Sequence, residues 1–530
     1  MLEVNKTGRK ERFSASKTET EISMEYSSLQ FYLLLLFVTI IYVSPNENQD
    51  SHILIRARPS NDEQLQFLKS MLKMPSKFGV DFWTESLKLS FPVDIMVESG
   101  RFEEFKANFD KVGLKYNVTM ENVRKIIETQ SKKHRIKNLI GKFAQRDDAS
   151  SGFRIDRYNS YMQIVEYLKR LQDTFPDIVL TFAIGNSYEN RPLQVIKIGR
   201  NTGIAKKSVW IDAGIHAREW ISPATALYII NELVTKYSSD NEIRKYVDTL
   251  DWHIMPVLNA DGYEYSRTST VTRVRLWRKN RKPDPFCQRQ SNCCDGVDLN
   301  RNFDFSWGQA GSSNYQCEDQ YSGLHAFSEP ETAAVRDYLT PRAASFGAFI
   351  TLHSYSQIFI YPFGHAIKSY PVDVADLHKV AVKAKNAILA SSSNKTRYIV
   401  GTGADTLYPA SGGSVDWAKH ALGIKYSYLL ELRPSESGIN GFLLDEAEIS
   451  PTGRETFDGL KVVADAVLAM DPPSASPVAR NPLQPDMITE FVTNCFNEHE
   501  RCSWYASLGF CFNKPDVQES CRLACRICDQ

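Results

Sequence analysis

Between Phe153 and Met470 the chain repeatedly exchanges an apolar, strand-like run for a helical one, and this alternation restricts the possible architectures more than any other feature. Ile178 to Ile184, Leu193 to Ile198 and Ser208 to Ala213 read as strands, Pro223 to Tyr237 as a helix, and Trp252 to Val257 as a further strand. Strands separated by helices of about ten or more residues predict an α/β unit, a mixed, mostly parallel, twisted sheet with helices on both faces. In such folds ligands sit at the carboxyl ends of the strands, so the residues that end these runs are where chemistry is expected.

The rest of the 530 residues divides around that block. Residues 51–133 read as a small α+β unit: an extended His52 to Ala57, a helix from Leu65 to Met74, an extended Pro92 to Val97, then helices at Phe102 to Val112 and Met120 to Thr129. Residues 134–152, opening on a basic run that begins at Lys132 and Lys133, read as an exposed linker open to proteolysis. The α/β unit spans 153–471. Residues 472–494 form a proline-rich linker, and 495–528 a small disulfide-rich module with six cysteines and too few apolar residues for a core of its own.

Lys+Arg and Asp+Glu are both 63, so the chain lacks the basic excess of a nucleic-acid binder, and no nucleic-acid partner is expected. The ten cysteines all lie from Cys287 onward in two clusters, which reads as disulfides; only Cys525 and Cys528 have zinc-knuckle spacing. Within residues 1–50, the apolar run Leu29 to Val43 follows basic residues and suits a signal-peptide core, with an uncleaved anchor as the alternative. Secretion into an oxidising space follows, with Asn117 and Asn394 as glycan acceptors.

Ser208 to Ala213 runs into a glycine turn that presents His216 and Glu219 three positions apart. Two nitrogens and one carboxylate would hold zinc and leave a place for water. With 10 histidines and 63 acids in 530 residues, about one His-x-x-acid match arises by chance, so the pair alone is weak. His353, ending the apolar run Phe349 to Leu352, supplies a third ligand from another strand end. Glu431 lies inside the apolar strand Ser427 to Leu432, where an unpaired carboxylate is costly. Two readings stay open for it: a structural salt bridge to Arg433, or a general base beside a metal site.

Six ordered motifs carry a resemblance: His216-Ala-Arg-Glu219-Trp, Trp277-Arg-Lys-Asn-Arg281, Gly296-Val-Asp298-Leu-Asn300-Arg301-Asn302, His353-Ser-Tyr355-Ser-Gln, Tyr408 to Trp417, and Glu431-Leu-Arg433. Together they resemble the zinc metallocarboxypeptidases of the pancreatic A/B type, in proenzyme form. The resemblance implies the carboxypeptidase fold, an activation domain before it, and one zinc held by His216, Glu219 and His353. It further implies that Glu431 acts as base, Arg281 stabilises the oxyanion, and Asp298 fixes the ring of His216. Asn300, Arg301 and Tyr408 would clamp the substrate carboxylate, with Arg218 and Tyr355 as further substrate contacts. Tyr408 would sit on a mobile loop.

Val415 stands where B-type members carry an acid, which implies an A-type preference for apolar terminal side chains; Leu429 and Gly403 depart from the A-type pattern. The resemblance pairs Cys294 with Cys317 and leaves Cys287 with Cys293 as a local pair. The tail resembles the ShK-type domain, whose pattern implies Cys495–Cys528, Cys502–Cys521 and Cys511–Cys525. Expected partners are peptide or protein C-termini, an activating trypsin-like protease and an unidentified partner for the tail; the chain is expected to be a monomer. A non-catalytic binding protein on the same scaffold is the rival reading.

Overall fold

The computed structural model describes residues 51–84, 87–143, 153–284, 294–438 and 440–470. The amino-terminal segment with the apolar run, the stretch 144–152, Cys287, Cys293 and the whole cysteine-rich tail lie outside the described residues.

The first unit is an antiparallel sheet of β1 (His52–Ala57), β2 (Val80–Phe82), β3 (Val93–Glu98) and β4 (Tyr116–Met120) in the order β2-β3-β1-β4. Helices Asp62–Leu72 and Phe102–Lys111 bring Leu68, Met71, Phe105 and Phe109 onto Ile55, Val93 and Ile95, giving the unit its own core. The sequence reading assigns no element to Tyr116–Thr119, where β4 lies, and begins the next helix at Met120 rather than at Val123. Period-2 and period-3.6 patterns cannot be told apart over so short a run. The helix Val123–Phe143 also carries on through the basic stretch placed in a linker. His134 and Lys137 there reach Glu446 of the second unit at 2.8 and 3.3 Å, so neighbouring carboxylate, not linker chemistry, accounts for these bases.

The second unit holds an eight-stranded sheet: β5 (Val179–Asn186), β6 (Pro192–Ile198), β7 (Lys207–Ala213), β8 (Leu250–Met255), β9 (Phe346–Ser356), β10 (Ile358–Tyr361), β11 (Ile399–Thr402) and β12 (Tyr426–Ser435), in the order β11-β10-β12-β9-β7-β8-β6-β5. The central run β12-β9-β7-β8 is parallel, whereas β8-β6-β5 and β10-β12 are antiparallel. In β7 and β9 successive residues are buried, so both faces of the sheet are covered, as the near-continuous apolar runs require. Helices Ile221–Thr235, Val374–Ser391 and Ile449–Leu468 pack together, while Tyr161–Thr174 and Pro330–Leu339 lie against β5. One core surrounds Trp210, Trp252, Phe349 and Tyr428. Because β7, β9 and β12 are neighbours running in one direction, their carboxyl ends open on the same rim.

Candidate active site

Each strand end delivers one piece of the site. β7 stops at Ala213, and Gly214 takes a φ of +65°, a conformation that favours glycine. The loop then presents His216, 4% exposed, and Glu219, 3% exposed. β9 contributes His353, 1% exposed, and its register partner across the sheet is Glu431 of β12. Residues remote in sequence meet because parallel strands place their ends side by side.

His216 Nδ1 lies 2.6 Å from Glu219 Oε1, and His353 Nδ1 lies 3.3 Å from both Glu219 Oε2 and His216 Nδ1. The opposite ring nitrogens already have partners: His216 Nε2 faces Asp298 Oδ1 at 3.2 Å, and His353 Nε2 faces Thr351 Oγ1 at 3.2 Å. Two Nδ1 atoms and a carboxylate, all within 4.8 Å of one another and buried, form a donor set suited to a dication. Burial would raise the Glu219 carboxyl, but His216 and His353 beside it hold it below the usual carboxylate range. Burial acts on Asp298 likewise, and the charges of Arg278, His216 and Arg301 outweigh it, holding its carboxyl well below 3.8.

The reading of Arg281 as the oxyanion-binding group is corrected. Its guanidinium stacks on Tyr265 at 3.8 Å and on Trp277 at 4.8 Å, with Glu189 and Asp295 at 3.8 and 3.9 Å, and it does not line the cavity of the metal triad. Arg278, three residues earlier in the same motif, does line it. Arg278 Nε and Nη2 reach Asp298 Oδ2 at 3.0 and 2.9 Å, so one buried carboxylate holds both the His216 ring and this guanidinium. The motif contains both arginines, and an irregular segment has no period to say which one turns inward.

The salt-bridge reading of Glu431 is also resolved. Arg433 pairs instead with Glu455, Nε to Oε1 at 2.7 Å, and with Glu448 at 2.6 Å. Glu431 lines the same cavity as His216, Glu219, His353 and Arg278.

At the other end of the cavity, Arg301 Nη2 donates to Tyr408 Oη at 2.9 Å, and Asn300 Oδ1 accepts the N–H of Ser414 at 3.0 Å. Gly412, at a φ of +71°, lies against Arg301: a Cβ there would stand 2.2 Å from the Arg301 carbonyl oxygen. Ile358, Ile360, Val415 and Leu429 form an apolar cluster with Leu407 below the clamp. Asp416 closes that end; its Oδ2 accepts Gly364 N–H at 2.7 Å, and burial pushes its carboxyl up to about 7. Cys294 and Cys317 are disulfide-bonded and tether the segment that leads into Asp298.

The first unit covers this cavity, and Trp83 and Thr84 form part of its lining. Arg218, expected as a substrate contact, has Nη1 3.3 Å from Asp81 of the first unit and 3.4 Å from Asp319, and lies over the Phe442 ring at 4.4 Å. Tyr355 Oη donates to Asp94 Oδ2 at 2.9 Å. Arg56, paired with Asp94, also donates to the carbonyls of Ser437 and Gly438 at 2.7 and 2.6 Å. The sequence reading found no chemistry in the first unit and missed these contacts. An acid on a half-buried strand gives no sign of which distant arginine it will meet.

A buried histidine-histidine-glutamate triad at the strand ends of a mixed α/β sheet, roofed by a separately folded amino-terminal unit, defines a zinc peptidase made as a zymogen. The chain belongs to the zinc carboxypeptidase family, whose profile matches residues 164–459, and the carboxypeptidase activation peptide matches residues 55–130. It is 35% identical to carboxypeptidase A2 of Rattus norvegicus over 434 residues, covering 82% of this chain and 98% of that one. It is 41% identical to carboxypeptidase B of Astacus astacus over 310 residues, covering 58% and 97%. The crystal structure of the carboxypeptidase A from Helicoverpa armigera superposes with a TM-score of 0.70 at 29% identity, covering 80% of this chain and 99% of that one. The protein is thus a zinc-dependent metallocarboxypeptidase, a hydrolase carrying an activation propeptide.

Proposed function

We propose that this zymogen is secreted and, once cut between about Lys132 and Ser151 by a trypsin-like protease, removes C-terminal residues with apolar side chains. The observation that supports the reading is that His216, Glu219, His353, Arg278, Glu431, Asn300 and Arg301 line one cavity. His216, Glu219 and His353 would hold a zinc ion, which would supply Lewis acidity and ease loss of a proton from water near neutral pH. Glu431 takes that proton and returns it to the departing amine. Arg278 offers its guanidinium to the oxygen of the scissile carbonyl as charge develops there, and Asp298 keeps it in place.

Asn300, Arg301 and Tyr408 grip the free carboxylate, which makes the reaction an exopeptidase one. The terminal side chain then enters the apolar end formed by Val415, Leu429, Ile360 and Leu407, which suits an apolar rather than a basic residue. Tyr408 closes over bound substrate. The cysteine-rich tail docks the enzyme to a partner and takes no part in catalysis.

The test is a panel of peptides differing only in the final residue, offered before and after trypsin treatment. Single-residue release from apolar-ended peptides, confined to the cut form and abolished by chelation, is the expected result. Turnover of only lysine- or arginine-ended peptides would overturn the specificity. No turnover with stoichiometric zinc bound would favour the rival binding-protein reading.

A further inference from the structure

Arg278 lies in neither a helix nor a strand, so individual contacts must set the direction of its side chain. Two residues on stands Asn280, fully buried, whose every polar atom is engaged. Its backbone N–H donates to the carbonyl of Val297 at 3.0 Å, and its Oδ1 accepts the N–H of Val297 at 2.8 Å. Its Nδ2 donates to Glu329 Oε2 at 2.8 Å and to Glu331 Oε2 at 3.1 Å. The amide orientation is therefore fixed by chemistry: oxygen toward an N–H, nitrogen toward two carboxylates.

Val297 is the neighbour of Asp298. The Asn280–Val297 pairing thus sets the register between the segment that bears Arg278 and the one that bears Asp298. Gly296 permits the approach: at a φ of +86°, a Cβ there would stand 2.4 Å from the Asn280 carbonyl oxygen. Glu329 and Glu331, both fully buried, flank Pro330 at the start of helix Pro330–Leu339. Lys282 Nζ lies 3.1 Å from Glu329, and Tyr188 N–H donates to Glu331 at 3.1 Å. Burial pushes the Glu331 carboxyl up to about 7, and the hydrogen bond it accepts from the Asn280 amide opposes that rise.

We propose that Asn280, braced by Glu329 and Glu331, is the positioning residue that sets Arg278 against Asp298 and so against the metal triad. This rests on the reading of Arg278 as the group that meets the substrate carbonyl. A displacement on the order of 1 Å at a catalytic group costs about a hundredfold in rate. Its signature is a loss of kcat that passes through Arg278.

The experiment uses the full chain after trypsin treatment and measures kcat, KM, zinc content and Tm for Asn280→Ala, Arg278→Ala and the double variant. Asn280→Ala is expected to lower kcat about 10- to 100-fold with KM and zinc content unchanged, and to cause little further loss in the Arg278→Ala background. Full kcat in Asn280→Ala, or the same factor lost in both backgrounds, overturns the inference and leaves the role of Arg278 standing. Unchanged kcat in Arg278→Ala overturns that role and the inference with it. Should Asn280→Ala not fold, Asn280→Asp carries the test, since it sets a third carboxylate against Glu329 and Glu331. Adding Glu331→Gln restores a donor to the pair: recovery of kcat supports the brace, and no recovery overturns it.

Discussion

The hydroxyl of Tyr355 donates to the carboxylate of Asp94 at 2.9 Å, and this bond ties the catalytic cavity to the sheet of the activation unit. Asp94 is 1% exposed and is also gripped by Arg56, so the acceptor is fixed before Tyr355 reaches it. A buried hydrogen bond to a charged group contributes about 1.5 to 3 kcal/mol. Tyr355→Phe should therefore loosen the roof and raise the ratio of uncut to cut activity by roughly ten- to a hundredfold. Taking the ratio within one variant cancels any effect on substrate binding; an unchanged ratio would show that this bond does not hold the unit closed.

The two arginines of one motif should separate cleanly. Arg278→Ala should lower kcat by about 10²- to 10³-fold, the usual cost of removing an oxyanion donor. Arg281→Ala, which loses stacking on Tyr265 and Trp277, should leave kcat within a few fold and slightly lower Tm. Steady-state kinetics on one apolar-ended peptide decides between them, and the opposite ranking would restore the expectation drawn from sequence.

Glu431→Gln keeps the shape of the side chain and removes its basicity. Zinc should remain stoichiometric, because Glu431 is outside the triad, while kcat falls by about 10² or more. Metal analysis and turnover are read on one sample. Retained turnover would refute the assignment of the base.

Gly412 has no room for a methyl group, since its Cβ position is 2.2 Å from the Arg301 carbonyl oxygen and its φ is +71°. Gly412→Ala should push the Tyr408 loop away from Arg301 and raise KM for peptides while sparing zinc binding. Titration with a dicarboxylate inhibitor provides a second readout, and an unaltered KM would mean that the clamp does not depend on this contact.

Stability should carry the mark of Asp416. Its folded value of about 7 lies above the ordinary 3.8 because burial disfavours the charge. The stabilisation it provides is therefore complete below about pH 4 and is lost as pH rises through 7. Between pH 5 and pH 8 the advantage of the wild type over Asp416→Asn should shrink by about 2 to 3 kcal/mol. Urea unfolding at the two pH values measures it, and a pH-independent difference would contradict the buried-acid account.

Local patterns in the chain pointed to the α/β class and the small unit ahead of it, and they marked His216, Glu219 and His353 as candidate ligands that only the ordered motifs joined into one set. Strand-like runs with buried residues at successive positions demand a covered sheet, and His216, Glu219 and His353 each follow or end such a run. These signals are local, so they survive without knowledge of what packs where. Contacts between segments are different. Whether Arg278 or Arg281 turns inward depends on Val297 pairing with Asn280, and whether Glu431 meets Arg433 depends on Glu455 from a distant helix taking that arginine first. The roof is the plainest case: nothing in the sequence around Asp81, Trp83 and Asp94 signals a role until the first sheet is set down on the second unit. Only packing brings such partners within hydrogen-bond reach, because charge pairing and desolvation depend on distance in space rather than on separation along the chain.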